Sequence, residues 1–208
     1  WSPDGTEIAF SSFEGEILVV SADGGTPQVV ADFPGSEGGA CWSPDGLSIA
    51  FESEGPEVEL PYKVWIVSRD GVGLPWGEPI QLTDFECRHP LWFPDGTSLL
   101  CMRERVMVKV ATASGEVLGS YDSPPELSRF GTHRFSPDGT RHYFIAADET
   151  DWFGVWWMPV EGGDPTRVVA LDDPALNPDR NSLSVGPEHF YFTVDESESD
   201  IRVVDLEW

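Results

Sequence analysis

Lysine is nearly missing from this chain. Only Lys63 and Lys109 occur, and with ten arginines they make 12 cationic side chains against 37 Asp and Glu, a formal net charge of −25. A surface so poor in positive charge repels phosphate backbones, so no nucleic-acid partner is expected. It repels anionic lipid for the same reason. Long apolar runs are missing too. No window approaches the ~18 apolar residues of a membrane span, so direct membrane insertion is not expected. Many acids with scarce lysine suit a high-salt setting or an acidic extracellular protein, and composition leaves both open.

Cysteine is scarce as well: Cys41, Cys87 and Cys101. No Cys-x-x-Cys pair occurs, so neither a zinc site nor a thioredoxin-like motif is indicated. Buried apolar thiols are expected, with one disulfide as the open alternative. Catalytic signatures are also lacking. The chain has no Gly-x-Ser-x-Gly elbow, no phosphate-binding glycine loop and no His-x-x-x-His pair. The expectation is a non-catalytic chain with no cofactor and no metal. The acidic runs at 148–151 and 195–200 lack EF-hand spacing and read as solvated hairpin tips. The chain begins at Trp1 with no signal-peptide pattern, and so reads as a piece of something longer.

What is present is aromatic and turn-rich. Among 208 residues there are 9 Trp, 12 Phe, 21 Gly and 18 Pro. The aromatics imply a packed core, and breakers spread along the chain exclude long helices. A repeat then fixes the fold class. Trp1-Ser2-Pro3-Asp4-Gly5 recurs as Trp42-Ser43-Pro44-Asp45-Gly46, as Trp92-Phe93-Pro94-Asp95-Gly96 and as Phe135-Ser136-Pro137-Asp138-Gly139. A weakened copy occupies 185–189. In each copy Pro presets the turn, Asp bonds back to the backbone and Gly takes the positive φ. The preceding aromatic points into a core. Because Asp4, Asp45, Asp95 and Asp138 recur in blade after blade, they read as architecture rather than catalysis.

Two apolar strands follow every anchor, the first over 7–10, 48–51, 98–101, 142–145 and 190–193. The second lies over 17–20, 64–67, 106–109, 155–158 and 201–204. A glycine turn and a more polar strand, such as 28–30 or 80–83, complete each unit. Four-stranded units of ~40–50 residues are the mark of an all-β propeller blade. The expected units are 1–35, 36–85, 86–125, 126–175 and 176–208.

The pentapeptide, the Ile-Ala-Phe strand, the Ile-x-Val-Val strand and the Gly-Gly turn together resemble the propeller repeat of TolB-like proteins. That resemblance implies a ring, usually of six blades, so at least one blade and a closing strand are expected upstream of Trp1. A self-closing five-blade ring is the alternative. It further implies a periplasmic or extracytoplasmic location and a protein- or peptide-binding role. Such propellers also serve as accessory sensors or gates beside hydrolase or kinase domains. The stretch 191–206 resembles the last blade of sensor propellers in bacterial serine/threonine kinases.

Site candidates follow from charge asymmetry. Arg88, His89, Arg129, His133, Arg134 and Arg180 gather near innermost strands, which border the channel of a propeller. They form a candidate mouth for an acidic peptide or carboxylate ligand, or else they neutralise nearby carboxylates. Trp76, with Tyr62 nearby, is a candidate partner anchor, or else folds back on the blade rim. Trp152, Phe153, Trp156 and Trp157 read as core and strand surface.

Overall fold

The computed structural model describes residues 1–35, 37–55, 61–170, 177–186, 189–195 and 200–205. The side chains of 177–182, 194–195 and 200–205 lie outside that description. The described residues are strands, turns and bends without a helix. The chain divides into two compact units, Trp1–Ser120 and Tyr121–Trp208.

Within the N-terminal unit, β1 (Glu7–Ser11), β2 (Ile17–Ser21) and β3 (Gln28–Ala31) form a three-stranded sheet. A four-stranded sheet follows, made of β4 (Glu37–Trp42), β5 (Ser48–Ser53), β6 (Lys63–Ser68) and β7 (Ile80–Gln81). The next is β8 (Arg88–Trp92), β9 (Ser98–Arg103), β10 (Val106–Ala111) and β11 (Val117–Asp122). The C-terminal unit continues the pattern with β12 (His133–Phe135), β13 (Arg141–Ala147), β14 (Phe153–Pro159) and β15 (Thr166–Ala170). It ends with the three-stranded sheet of β16 (Asn177–Val185), β17 (His189–Asp195) and β18 (Asp200–Asp205). Every pairing is antiparallel between sequence neighbours. Consecutive meanders of this kind make the chain a partial β-propeller.

The strand period of two explains why blades stack. Along β5 and β6, Ile49, Phe51, Trp65 and Val67 pack with Ile17, Val19 and Val30 of the first sheet. The alternate residues Ala50 and Val64 pack with Leu99, Cys101, Val108 and Val110 of the third. Successive side chains point to opposite faces, and here both faces are buried. In the C-terminal unit, Tyr143 and Ile145 join Phe190 and Phe192, while Phe144 and Ala146 join Leu127 and Met158. Each fully buried apolar side chain of this kind contributes about 1.5–3 kcal/mol.

The repeated turn is more elaborate than Pro, Asp and Gly alone. Ser2 Oγ donates to Asp4 Oδ1 at 2.7 Å and accepts from Glu7 N at 2.9 Å. Ser43 repeats this with Asp45 at 2.6 Å and Ser48 N at 2.9 Å. Ser136 repeats it with Asp138 at 2.5 Å and Arg141 N at 2.9 Å. The serine hydroxyl therefore stitches the start of the next strand to the aspartate. These hydroxyl bonds hold the carboxyls of Asp4 and Asp45 below the ordinary range and bring Asp138 to about 2. Gly5, Gly46, Gly96 and Gly139 close the turns with φ of 73°, 71°, 70° and 70°, a region costly for side chains with a Cβ. The third copy has Phe93 in place of serine and keeps only the Thr97 N to Asp95 Oδ1 bond of 2.9 Å from the aspartate.

The cysteine expectation is corrected. Cys87 and Cys101 form a disulfide, with Cα atoms 5.7 Å apart, and only Cys41 stays outside it. Sequence spacing conceals the pairing because the β8–β9 register shifts between Arg88 and Leu91. His89 sits in that shift with a positive φ of 53°. The irregularity lies between Cys87 and the regular ladder, where Leu91 faces Leu100.

Candidate functional site

The cationic candidates divide by environment. Arg88 opens β8 and places its guanidinium 4.0 Å from the centre of the Tyr62 ring. Tyr62 is held beside it because its carbonyl accepts from Cys87 N at 2.9 Å. Among the described residues its paired carboxylate oxygen, on Glu86, lies 3.8 Å from Nε, and both side chains are close to half exposed. An exposed pair of that geometry contributes little. Next to it, His89 donates its backbone N–H to Glu52 Oε2 at 2.6 Å, with its Nδ1 3.8 Å from the same oxygen.

Within the C-terminal unit, Arg129 pairs with Asp151 and lies 4.6 Å from the Phe153 ring. This is the neutralising arrangement weighed against ligand binding. Arg134 is exposed and donates to Thr132 Oγ1 at 3.0 Å and to the His133 carbonyl at 2.7 Å. No carboxylate among the described residues pairs with it. Arg180 lies in β16, its side chain outside the described residues.

His133, another of the ligand candidates, is buried, with Nδ1 2.8 Å from His142 Nε2. His142 is fully buried and its Nδ1 lies 3.5 Å from the Tyr121 hydroxyl. Burial, reinforced by the neighbouring His133, holds the His142 pKa well below the usual histidine range. Burial likewise raises the Tyr121 phenol. The rings of Phe135 and Phe144 pack on His142, with centroids 5.7 and 5.4 Å away.

Tyr62 immediately precedes β6, whereas Trp76 bridges Arg69 just beyond that strand's other end. Trp76 folds back, half-buried, with its ring centroid 5.7 Å from that of Trp42. Between them sits Arg69, a residue the sequence did not single out. Its guanidinium is 4.6 Å from the Trp76 centroid and 5.4 Å from the Trp42 centroid. It donates to both oxygens of Glu7, at 3.0 and 2.5 Å, and to the Gly46 carbonyl at 3.0 Å. Arg69 thus joins the first and second blades from a site only 6% exposed. A signal existed: the matching positions after the second strands hold Ala22, Thr112 and Val160, so this arginine breaks the repeat.

Glu37, at the head of β4, is also buried. Ser53 Oγ donates to its Oε1 at 3.0 Å, while its Oε2 has no hydrogen-bond partner among the described residues. Burial raises its pKa to about 7. The tip at 148–151 is an aspartate turn, with Asp148 Oδ1 accepting from Thr150 and Trp152 and its other oxygen from Arg167 at 3.0 Å. The middle of the other acidic run, 196–199, lies outside the described residues.

These sheets match solved propellers. A putative TolB from Agrobacterium tumefaciens superposes with a TM-score of 0.72 at 22% identity, over 99% of this chain and 75% of that one. TolB from Acinetobacter baumannii gives 0.66 at 16% identity, over the whole of this chain and 53% of that one. A chain of a nidogen/laminin complex gives 0.65 at 14% identity, over 94% and 75%. The fold is therefore that of a TolB-like β-propeller, present in part. The chain spans about half the length of the Acinetobacter protein. No protein-family profile and no curated protein sequence matches it.

Proposed function

We propose that this chain is a non-catalytic propeller module that binds a protein or peptide, through a surface built on Arg88 and Tyr62. The observation that carries this reading is the half-exposed Arg88 guanidinium stacked on Tyr62. An arginine so held loses little freedom on binding and keeps its planar fork of donors for a carboxylate. His89 stands beside it. The ligand class is an acidic peptide segment. The nidogen/laminin neighbour, a propeller solved with a protein partner, supports the class of role. The Cys87–Cys101 disulfide supports an extracytoplasmic location, since such bonds persist in oxidising compartments.

Titration with an acidic peptide tests the reading. Arg88→Ala is expected to weaken binding about tenfold. Unchanged affinity in the folded variant would overturn it.

A further inference from the structure

The repeat places one guanidinium between the first two blades and leaves the matching place between the second and third without one. Strand register makes the two junctions comparable. Glu7 opposes Ser21, Ser48 opposes Ser68, and Ser98 opposes Ala111. Glu7 and Ser48 are thus equivalent, and so are Arg69 and Thr112, each one step beyond its strand. Their backbones agree: Arg69 N donates to the Leu47 carbonyl and Thr112 N to the Thr97 carbonyl. The side chains follow suit. Arg69 donates to the Gly46 carbonyl, and Thr112 Oγ1 lies 3.3 Å from the equivalent Gly96 carbonyl.

Threonine is too short to cross the junction. Where Arg69 would lie, a cleft of about 390 Å³ opens, lined by Ser48, Ser68, Trp92, Thr112, Asp45 and Asp95 among others. Trp92 stands where Trp42 flanks Arg69. Two aspartates line the cleft, and no Lys, Arg or His does. Ser43 holds Asp45 ionised by lowering its pKa. Through Ile66, Ser68, Thr112 and Ala113 the cleft meets a second groove of about 590 Å³. There Ile80, 71% exposed, and Leu82 supply an apolar wall, and Glu78 is the one charged lining residue.

We infer that the cleft between the second and third blades is a binding site for an arginine side chain of a partner peptide, whose neighbouring apolar residue lies against Ile80 and Leu82. The guanidinium takes the place that Arg69 fills one blade earlier: over the tryptophan, beside the glycine carbonyl, with aspartate as counter-charge. The site is cationic in preference, opposite to the Arg88–Tyr62 surface. None of its lining residues belongs to that surface, so the two readings stand or fall separately.

The test is calorimetric titration of the chain with N-acetyl-arginine methylamide and with its uncharged citrulline counterpart. The arginine compound is expected to bind at least about tenfold more tightly. Ser48→Glu with Thr112→Arg rebuilds the first junction, fills the cleft with the protein's own guanidinium and should reduce binding about tenfold. Ala113→Lys, at an exposed turn position, should reduce it similarly through like charge and serves if the double variant does not fold. Equal affinity for both compounds, no binding of the arginine compound at millimolar concentration, or unchanged affinity in the folded variants would each overturn the assignment.

Discussion

Arg69 in the N-terminal unit and His142 in the C-terminal unit meet burial in opposite ways. The N-terminal unit buries a charge and pairs it, Arg69 on Glu7. The C-terminal unit buries a histidine and keeps it uncharged, His142 against His133 and Tyr121. The first residue after the strand's opening position is Ile8, Ile49 and Leu99 in the first three blades and His142 in the fourth. That position is fully buried in the second, third and fourth blades, and each side chain must meet burial by its own chemistry. Arg69 cannot lose its proton, so it needs a carboxylate. His142 can, so it needs only a hydrogen bond.

Arg69→Ala is the largest single blow to this contrast. It strands Glu7 at the blade junction and is expected to cost about 3–5 kcal/mol, read by denaturant unfolding. The double change Glu7→Ser with Arg69→Thr copies the second junction, leaves no charge stranded and should cost far less.

Acid should move the two units in opposite directions. His142 is neutral when folded and titrates near 6.5 when unfolded, so its stabilising share is whole above pH 6.5 and is lost as pH falls below that. Glu37 has its pKa raised from 4.5 to about 7, so its share is whole below pH 4.5 and is lost as pH rises through 7. Between pH 6.5 and 4.5, acidification therefore favours the N-terminal unit through Glu37 and disfavours the C-terminal unit through His142. Each slope is at most about 1.4 kcal/mol per pH unit. Hydrogen exchange resolved by segment measures both. Glu37→Gln should flatten the first trend and His142→Leu the second.

A smaller test asks what the units share. Ser43→Ala and Ser136→Ala each remove a hydroxyl that donates to an aspartate and accepts from a strand N–H. Each is expected to cost about 1–2 kcal/mol in thermal unfolding, with matching losses in both units.

Much of the fold was legible because a turn needs particular residues at particular places. Pro44, Asp45 and Gly46 announce a hairpin wherever they stand, and the strands on either side alternate as a doubly buried blade requires. The site was less legible. Arg88 was chosen by its charge, but its stacking on Tyr62 goes with a hydrogen bond from Cys87 N to the Tyr62 carbonyl that no sequence spacing shows. His133 was chosen as a ligand candidate because sequence cannot show that its ring meets that of His142 inside the protein. Trp76 was visible as an unusual aromatic, whereas the guanidinium it covers shows only once Arg69 is compared with Ala22, Thr112 and Val160.

The third blade has Phe93 where Ser2, Ser43 and Ser136 tie turn to strand, and its β9 carries one end of the disulfide. A covalent tie stands near a turn without the polar one. The bond closes a 14-residue separation, a span for which such links typically contribute about 3 kcal/mol. Closing this tie is a two-electron oxidation that needs an electron acceptor, whereas the turns tied by Ser2, Ser43 and Ser136 need none.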